Sequence, residues 1–211
     1  SDYTRGALED EVIWDTLPGA GNLPANFNMF AGFIDVNEET GKRIFYWFME
    51  AQENPEEAPA FIWILLRCRS FRLQTLGHVY RRKTSNRLRH FFHLLYGFLG
   101  LLTEHGPFQV RDGGETLVNN EYSWNKLANM LYVEIPSGVG YSYSDRPADY
   151  KTGDEATTLD NLSFINGWMD RFPRYQRQGG DRCNRFFISS ESYGGHYMPL
   201  LGMQIIEHNK R

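Results

Sequence analysis

Apolar positions along this chain fall into two regimes: short continuous or β-branched runs in its earlier part and helix-spaced positions toward its C-terminal end. Phe30 to Val36 and Arg43 to Phe48 are rich in aromatic and β-branched residues and are joined by the turn-like Asn37-Glu38-Glu39-Thr40-Gly41, so they predict a β-hairpin. Asn54 to Pro59 is a loop feeding Ala60 to Leu65, and Met130 to Ile135 is a second continuous apolar run. Both runs have the pattern of strands covered on two faces. Gly106-Pro107 and Asp112-Gly113-Gly114 predict turns. Residues 1 to 28, with Pro18, Gly19, Gly21 and Pro24 in a polar setting, predict an irregular entry segment. From Asp154, which suits a helix cap, Leu159, Leu162, Ile165, Trp168, Met169 and Phe172 recur at helical spacing, and Pro173 follows. Arg185 to Ser189 predicts a short strand, and Tyr197, Leu200, Leu201, Ile205 and Ile206 mark the buried side of a final helix. Strands alternating with helices toward the C-terminus place the chain in the α/β class.

Composition adds one feature that periodicity misses. The 211 residues, 41% apolar and 15% aromatic, suit one globular domain, and the net charge of -4 is too mild to imply a strongly charged partner. The charge is unevenly placed, however. Leu65 to Leu102 holds Arg67, Arg69, Arg72, Arg81, Arg82, Lys83, Arg87 and Arg89 and no acidic residue, leaving 14 basic against 26 acidic residues elsewhere. No periodicity organises that block, so it does not read as a nucleic-acid or membrane-surface patch. No run of about 20 apolar residues exists, so no membrane span is expected. Two cysteines, Cys68 and Cys183, do not fix the redox compartment. Asn161-Leu162-Ser163 fits a glycosylation triplet but falls in the predicted helix.

The most specific stretch is Phe186 to Tyr197, in which a strand, a tight turn and a helix follow without a break. A nucleophilic serine in α/β hydrolases stands on such a turn, within G-x-S-x-G, where small neighbours let the backbone fold back on itself. Ser192, Gly194 and Gly195 meet that need, and Ser190 replaces the first glycine. The run Glu191-Ser192-Tyr193-Gly194-Gly195-His196-Tyr197 resembles the nucleophile motif of serine carboxypeptidases. Further blocks resemble the same family in the same order: Phe30-Ala31-Gly32-Phe33 with Phe45 to Glu50, Asn54 to Trp63, Glu104-His105-Gly106-Pro107-Phe108, Ser123-Trp124-Asn125, and Pro136 to Ser144.

The resemblance implies an incomplete α/β hydrolase fold in a single partial domain across residues 1–211, a mixed sheet with an N-terminal antiparallel hairpin and flanking helices. It implies release of the C-terminal residue of a peptide or protein through an acyl-enzyme, with Ser192 as nucleophile and no cofactor or metal. The backbone N–H of Tyr193 would supply one oxyanion donor, effective because a fixed donor stabilises charge that develops only in the transition state. Glu104 and Glu191 match two family glutamates that sit together and bind the substrate's terminal carboxylate, with Gly194 alongside. Two adjacent carboxylates do not both ionise cheaply, so the pair would share a proton and work at acidic pH. A secretory-pathway location, vacuolar, lysosomal or extracellular, also follows from the resemblance.

Two departures qualify it. Leu65 to about Tyr96 replaces the family's Asn-Gly-Gly-Pro-Gly-Cys-Ser-Ser loop, which binds the terminal carboxylate and supplies the second oxyanion donor. Its abrupt composition points to an unspliced intron or a frameshifted segment. No triad acid or base is recognisable either, since the family's Asp and His lie well downstream of the serine and only 19 residues follow Ser192. His196 matches the motif histidine, His105 a loop position, His78, His90 and His93 fall in the basic block, and His208 lies in the tail. The 211-residue chain is therefore expected to be an inactive, aggregation-prone fragment; the alternative is a non-catalytic, peptide-binding relative.

Overall fold

The structure is a computed structural model that describes residues 3–23, 26–65, 97–176 and 186–210. The basic block, both cysteines, Arg185 and the histidines His78, His90 and His93 lie outside the described residues.

The expected hairpin forms from β1 (Met29–Asn37) and β2 (Lys42–Met49), antiparallel from Met29↔Met49 to Asp35↔Arg43. Strand β2 pairs antiparallel with β6 (Asn129–Glu134), which runs parallel to β3 (Ala60–Leu65), and β3 runs parallel to β7 (Phe186–Glu191). The order β1-β2-β6-β3-β7 is thus a mixed sheet with the hairpin at one edge and β7 at the other. A separate hairpin of β4 (Phe108–Arg111) and β5 (Thr116–Asn119) stands off the sheet.

Alternation along the central strands explains why they read as unbroken apolar runs. Ile62, Ile64, Leu131 and Val133 pack into one core with Phe30, Ile44, Tyr46 and Phe48. Their neighbours Trp63, Met130 and Tyr132 turn to the opposite face, against Phe98, Leu101 and Phe108. Both faces are covered, so apolar side chains run unbroken from Ala60 to Ile64 and from Met130 to Val133, with the buried polar Asn129 and Glu134 at the two ends of β6.

Helix α3 (Asp154–Arg171) closes the first face, with Phe164, Ile165 and Trp168 buried and Thr157, Thr158 and Asn161 extending the same stripe. Trp168 lies 5.0 Å from the Phe48 ring and 5.3 Å from Tyr175. Gly153, not Asp154, is the N-cap; Asp154 and Glu155 occupy the first turn and Arg171 the last, each favoured by the helix dipole. Arg171 reaches out of the helix to Asp10 Oδ2 at 2.5 Å and to the Phe33 carbonyl at 2.9 Å. Leu159, expected on the buried stripe, is exposed. Asn161 is fully buried and donates to the Thr157 carbonyl at 3.0 Å, which removes the glycosylation triplet from solvent.

The entry segment is less irregular than its composition predicts. Thr4 caps a short helix α1 (Arg5–Glu9), its hydroxyl accepting the Ala7 N–H at 3.2 Å, and Ala7 is buried in the main core. Tyr3 donates to Glu50, a fully buried carboxylate that also holds Arg174 at 3.1 Å. The final helix, α4 (Gly194–His208), buries Tyr197 and Leu201, while Leu200 and Ile206 face outward.

Candidate active site

The site is assembled where β7 gives way to α4. Strand β7 ends at Glu191, α4 begins at Gly194, and Ser192 between them is exposed with φ +56°, in the left-handed region that a non-glycine residue rarely adopts. Holding a serine there costs about 1–2 kcal/mol. Such strain persists only when the surroundings over-determine it.

The surroundings do so through Ser190 and Gly194. The Ser190 hydroxyl donates to the Ile64 carbonyl on β3, and the Gly194 Cα lies so close behind it that a Cβ there would overlap Ser190 Oγ. A serine at the first position of the turn is accommodated because its hydroxyl turns into the sheet and Gly194 leaves room for it. Tyr193 is the N-cap of α4, and its ring packs on His196 at 4.8 Å and Tyr197 at 5.2 Å. Its peptide plane therefore stands at the positive end of a 15-residue helix.

The second part comes from the other side of the sheet. Helix α2 (Gly97–Leu99) continues as a π-helical turn (Gly100–Glu104), closed by the His105 N–H on the Gly100 carbonyl at 3.0 Å. Gly106 folds back so tightly that any Cβ would collide with the Leu101 backbone. This turn brings Glu104 close enough to Glu191 for the two carboxyls to influence each other. Glu104 is held above the usual carboxylate range, first by partial burial, then by the charge of Glu191.

Sequence reasoning missed the support behind Glu104. His105 is stacked on Trp124, centroids 4.2 Å apart, packed edge-on against Trp63 at 4.3 Å, and joined through Nδ1 to the Tyr132 hydroxyl at 3.1 Å. Burial pushes its imidazole down to about 4, so it is neutral in ordinary buffers. The only sequence signal for this cluster was its set of aromatics, which composition cannot distinguish from core.

Among the described residues no histidine hydrogen-bonds Ser192, and no group of three His, Cys, Asp or Glu side chains could hold a metal. A cleft of about 430 Å³ lined by Asp10, Arg43 and Arg171 touches none of Ser192, Glu104 and Glu191.

Comparison with known proteins decides the ancestry of this arrangement. The serine carboxypeptidase family model matches residues 18–65 and 97–211, so the match includes Glu104, Glu191 and the Ser192 turn and passes over the basic block. The chain belongs to the serine carboxypeptidase family. Serine carboxypeptidase-like 35 of Arabidopsis thaliana is 37% identical over 99% of this chain, and serine carboxypeptidase-like 26 of the same plant is 38% identical over 90%. The chain spans 37% and 36% of the length of those two relatives. The crystal structure of Kex1(Δ)p, a prohormone-processing carboxypeptidase from Saccharomyces cerevisiae, superposes with a TM-score of 0.68 at 23% identity, over 98% of this chain and 40% of that one. That similarity supports the α/β hydrolase fold expected from the sequence, with its mixed sheet and flanking helices. This serine carboxypeptidase chain has no described helix long and apolar enough to cross a membrane.

Proposed function

We propose that the chain carries the nucleophile portion of a serine-type carboxypeptidase that releases C-terminal residues from peptides through an acyl-enzyme. Ser192 attacks the last peptide carbonyl, and the Tyr193 N–H donates to the oxygen that becomes negative. Glu104 and Glu191, sharing one proton, receive the terminal carboxylate, the protonated member donating a hydrogen bond to it. Gly194 supports the turn by leaving room for the Ser190 hydroxyl behind it. The observation that carries this reading is the left-handed Ser192 at a strand-to-helix bend that follows directly on Glu191, whose charge reaches Glu104. Strain of this kind is not retained for an ordinary turn serine. An acidic working pH and a place in the secretory or vacuolar system follow from the shared proton and the family.

The hydroxyl of Ser192 has no hydrogen-bond partner among the described residues, which favours a second feature of the proposal. A serine with no imidazole to take its proton stays weakly nucleophilic, and none among the described residues hydrogen-bonds Ser192, so on this reading the chain binds peptide C-termini without turning them over. A fluorophosphonate probe, which modifies only activated serines, is expected to leave the chain unlabelled. Stoichiometric modification of Ser192 would overturn inactivity. For recognition, a peptide with a free C-terminus should bind more tightly than its amide at pH 5 and lose that advantage at pH 8. Equal binding of acid and amide at both pH values would remove the carboxylate role of Glu104 and Glu191.

A further inference from the structure

His105 is more than 90% buried, and its Nε2 has no hydrogen-bond partner. Buried polar atoms are rarely left in that condition, and where they are the reason is often functional. Glu104 Oε2 lies 4.0 Å from Nε2, beyond hydrogen-bond reach. Trp63 and Trp124 face the ring from β3 and the loop before β6, and neither carries charge. Tyr132 on β6 is a further titratable neighbour, and Glu191 on β7 acts on Glu104.

The tautomer follows from counting donors. The Tyr132 hydroxyl is buried and its recorded partner is His105 Nδ1. If Nδ1 carried the proton, the Tyr132 O–H would lack an acceptor and the lone pair of Nε2 would point at a carboxyl oxygen. With the proton on Nε2, the Tyr132 O–H donates to Nδ1 and the remaining N–H has Glu104 Oε2 4.0 Å away, on a side chain about one-third exposed.

We infer that His105 is a positioning residue for the Glu104–Glu191 pair: the Tyr132 hydroxyl fixes it as the Nε2–H tautomer, and its neutral donor orients Glu104 and limits how strongly the pair holds its proton. This inference rests on the carboxylate-binding role proposed above. A donor aimed at a carboxylate favours the ionised form, so His105 opposes the burial and the Glu191 charge that act in the other direction. A positively charged side chain here would strip the shared proton and abolish the pair. A neutral imidazole, kept neutral by its aromatic enclosure, trims the pair's proton affinity without doing so.

The test uses the 211-residue chain labelled with nitrogen-15 histidine and with carbon-13 at the glutamate carboxyls, the signals of Glu104 and His105 being assigned by Glu104→Gln and His105→Gln. The wild-type His105 signals should show Nε2 protonated, Nδ1 unprotonated and no titration above pH 5. Glu104 should titrate above the usual range. His105→Leu, which keeps bulk and loses the donor, should raise the Glu104 midpoint by roughly half a unit to one unit, and His105→Gln should leave it close to wild type. An Nδ1–H tautomer, or a Glu104 midpoint unmoved in a folded His105→Leu chain, overturns the inference. Should that variant fail to fold, Tyr132→Phe decides: it is expected to release a mixture of tautomers, and an unchanged Nε2–H signal overturns the role given to Tyr132. A wild-type Glu104 that titrates normally would instead defeat the shared-proton reading of the pair, so the two failures are distinguishable.

Discussion

Glu134→Gln should make the chain more stable relative to wild type as pH rises, by up to about 3 kcal/mol. Glu134 closes β6, is fully buried, and accepts the Tyr141 N–H through Oε2 at 2.7 Å, while Oε1 has no partner. The loop is locked over it, since Gly140 approaches the carboxyl so closely that a Cβ would overlap it. Burial pushes this carboxyl from 4.5 up to about 7. The folded state thus favours the neutral acid, a contribution complete below pH 4.5 and lost as pH rises through 7. Two and a half units correspond to about 3 kcal/mol as an upper value. His105 has the opposite sign. Its midpoint, lowered by burial from 6.5 to about 4, makes folding progressively costlier as pH falls across that interval. Between 4.5 and 6.5 the two slopes offset each other, so these groups leave wild-type stability nearly flat there. Removing the Glu134 carboxyl exposes the His105 slope alone, and the variant should gain stability steadily from pH 4 to 6.5. Urea unfolding followed by tryptophan fluorescence at half-unit pH steps measures both curves. Any fixed cost of the glutamine cancels when the gap between them is compared across pH. A gap that stays constant from pH 4.5 to 7.5 would refute the reasoning.

Ser192→Gly should be more stable than Ser192→Ala by about 1 kcal/mol, because glycine relieves the left-handed backbone and alanine does not, with part of the relief offset by unfolded-state entropy; equal denaturation midpoints would show that the bend is unstrained. Gly194→Ala should destabilise the chain by about 1–3 kcal/mol by driving a methyl into Ser190, and Ser190→Gly in the same chain should recover most of that loss, as read from paired unfolding curves. Sequencing of the transcript should show the stretch from Leu65 to about Tyr96 to be spliced out of the mature message or read there in another frame, and authentic coding sequence would remove that origin.

What could be read from the sequence and what could not divides along the range of the contacts involved. Strands β3 and β6 announced themselves because two-sided burial favours unbroken apolar runs, Ala60 to Ile64 and Met130 to Val133, and α3 did so through one stripe ending in Trp168 and Phe172. The nucleophile turn was legible for the same reason, since strand, bend and helix are contiguous and their steric needs fall on neighbouring residues. Glu104 was reached only through resemblance, because its partner lies on a strand far along the chain and the π-helical turn that delivers it has no local signature. His105 was missed as a participant altogether. Its character comes from Trp63, Trp124 and Tyr132, each on a different element, and one of those three supplies the hydroxyl that decides which nitrogen carries the proton. Exposed Leu159, Leu200 and Ile206 err in the opposite direction: helical spacing gives the stripe, and its width depends on what covers it. A motif therefore locates a reacting atom by local sterics, whereas the protonation states around it are set by groups brought together only when the sheet is complete enough to bury them.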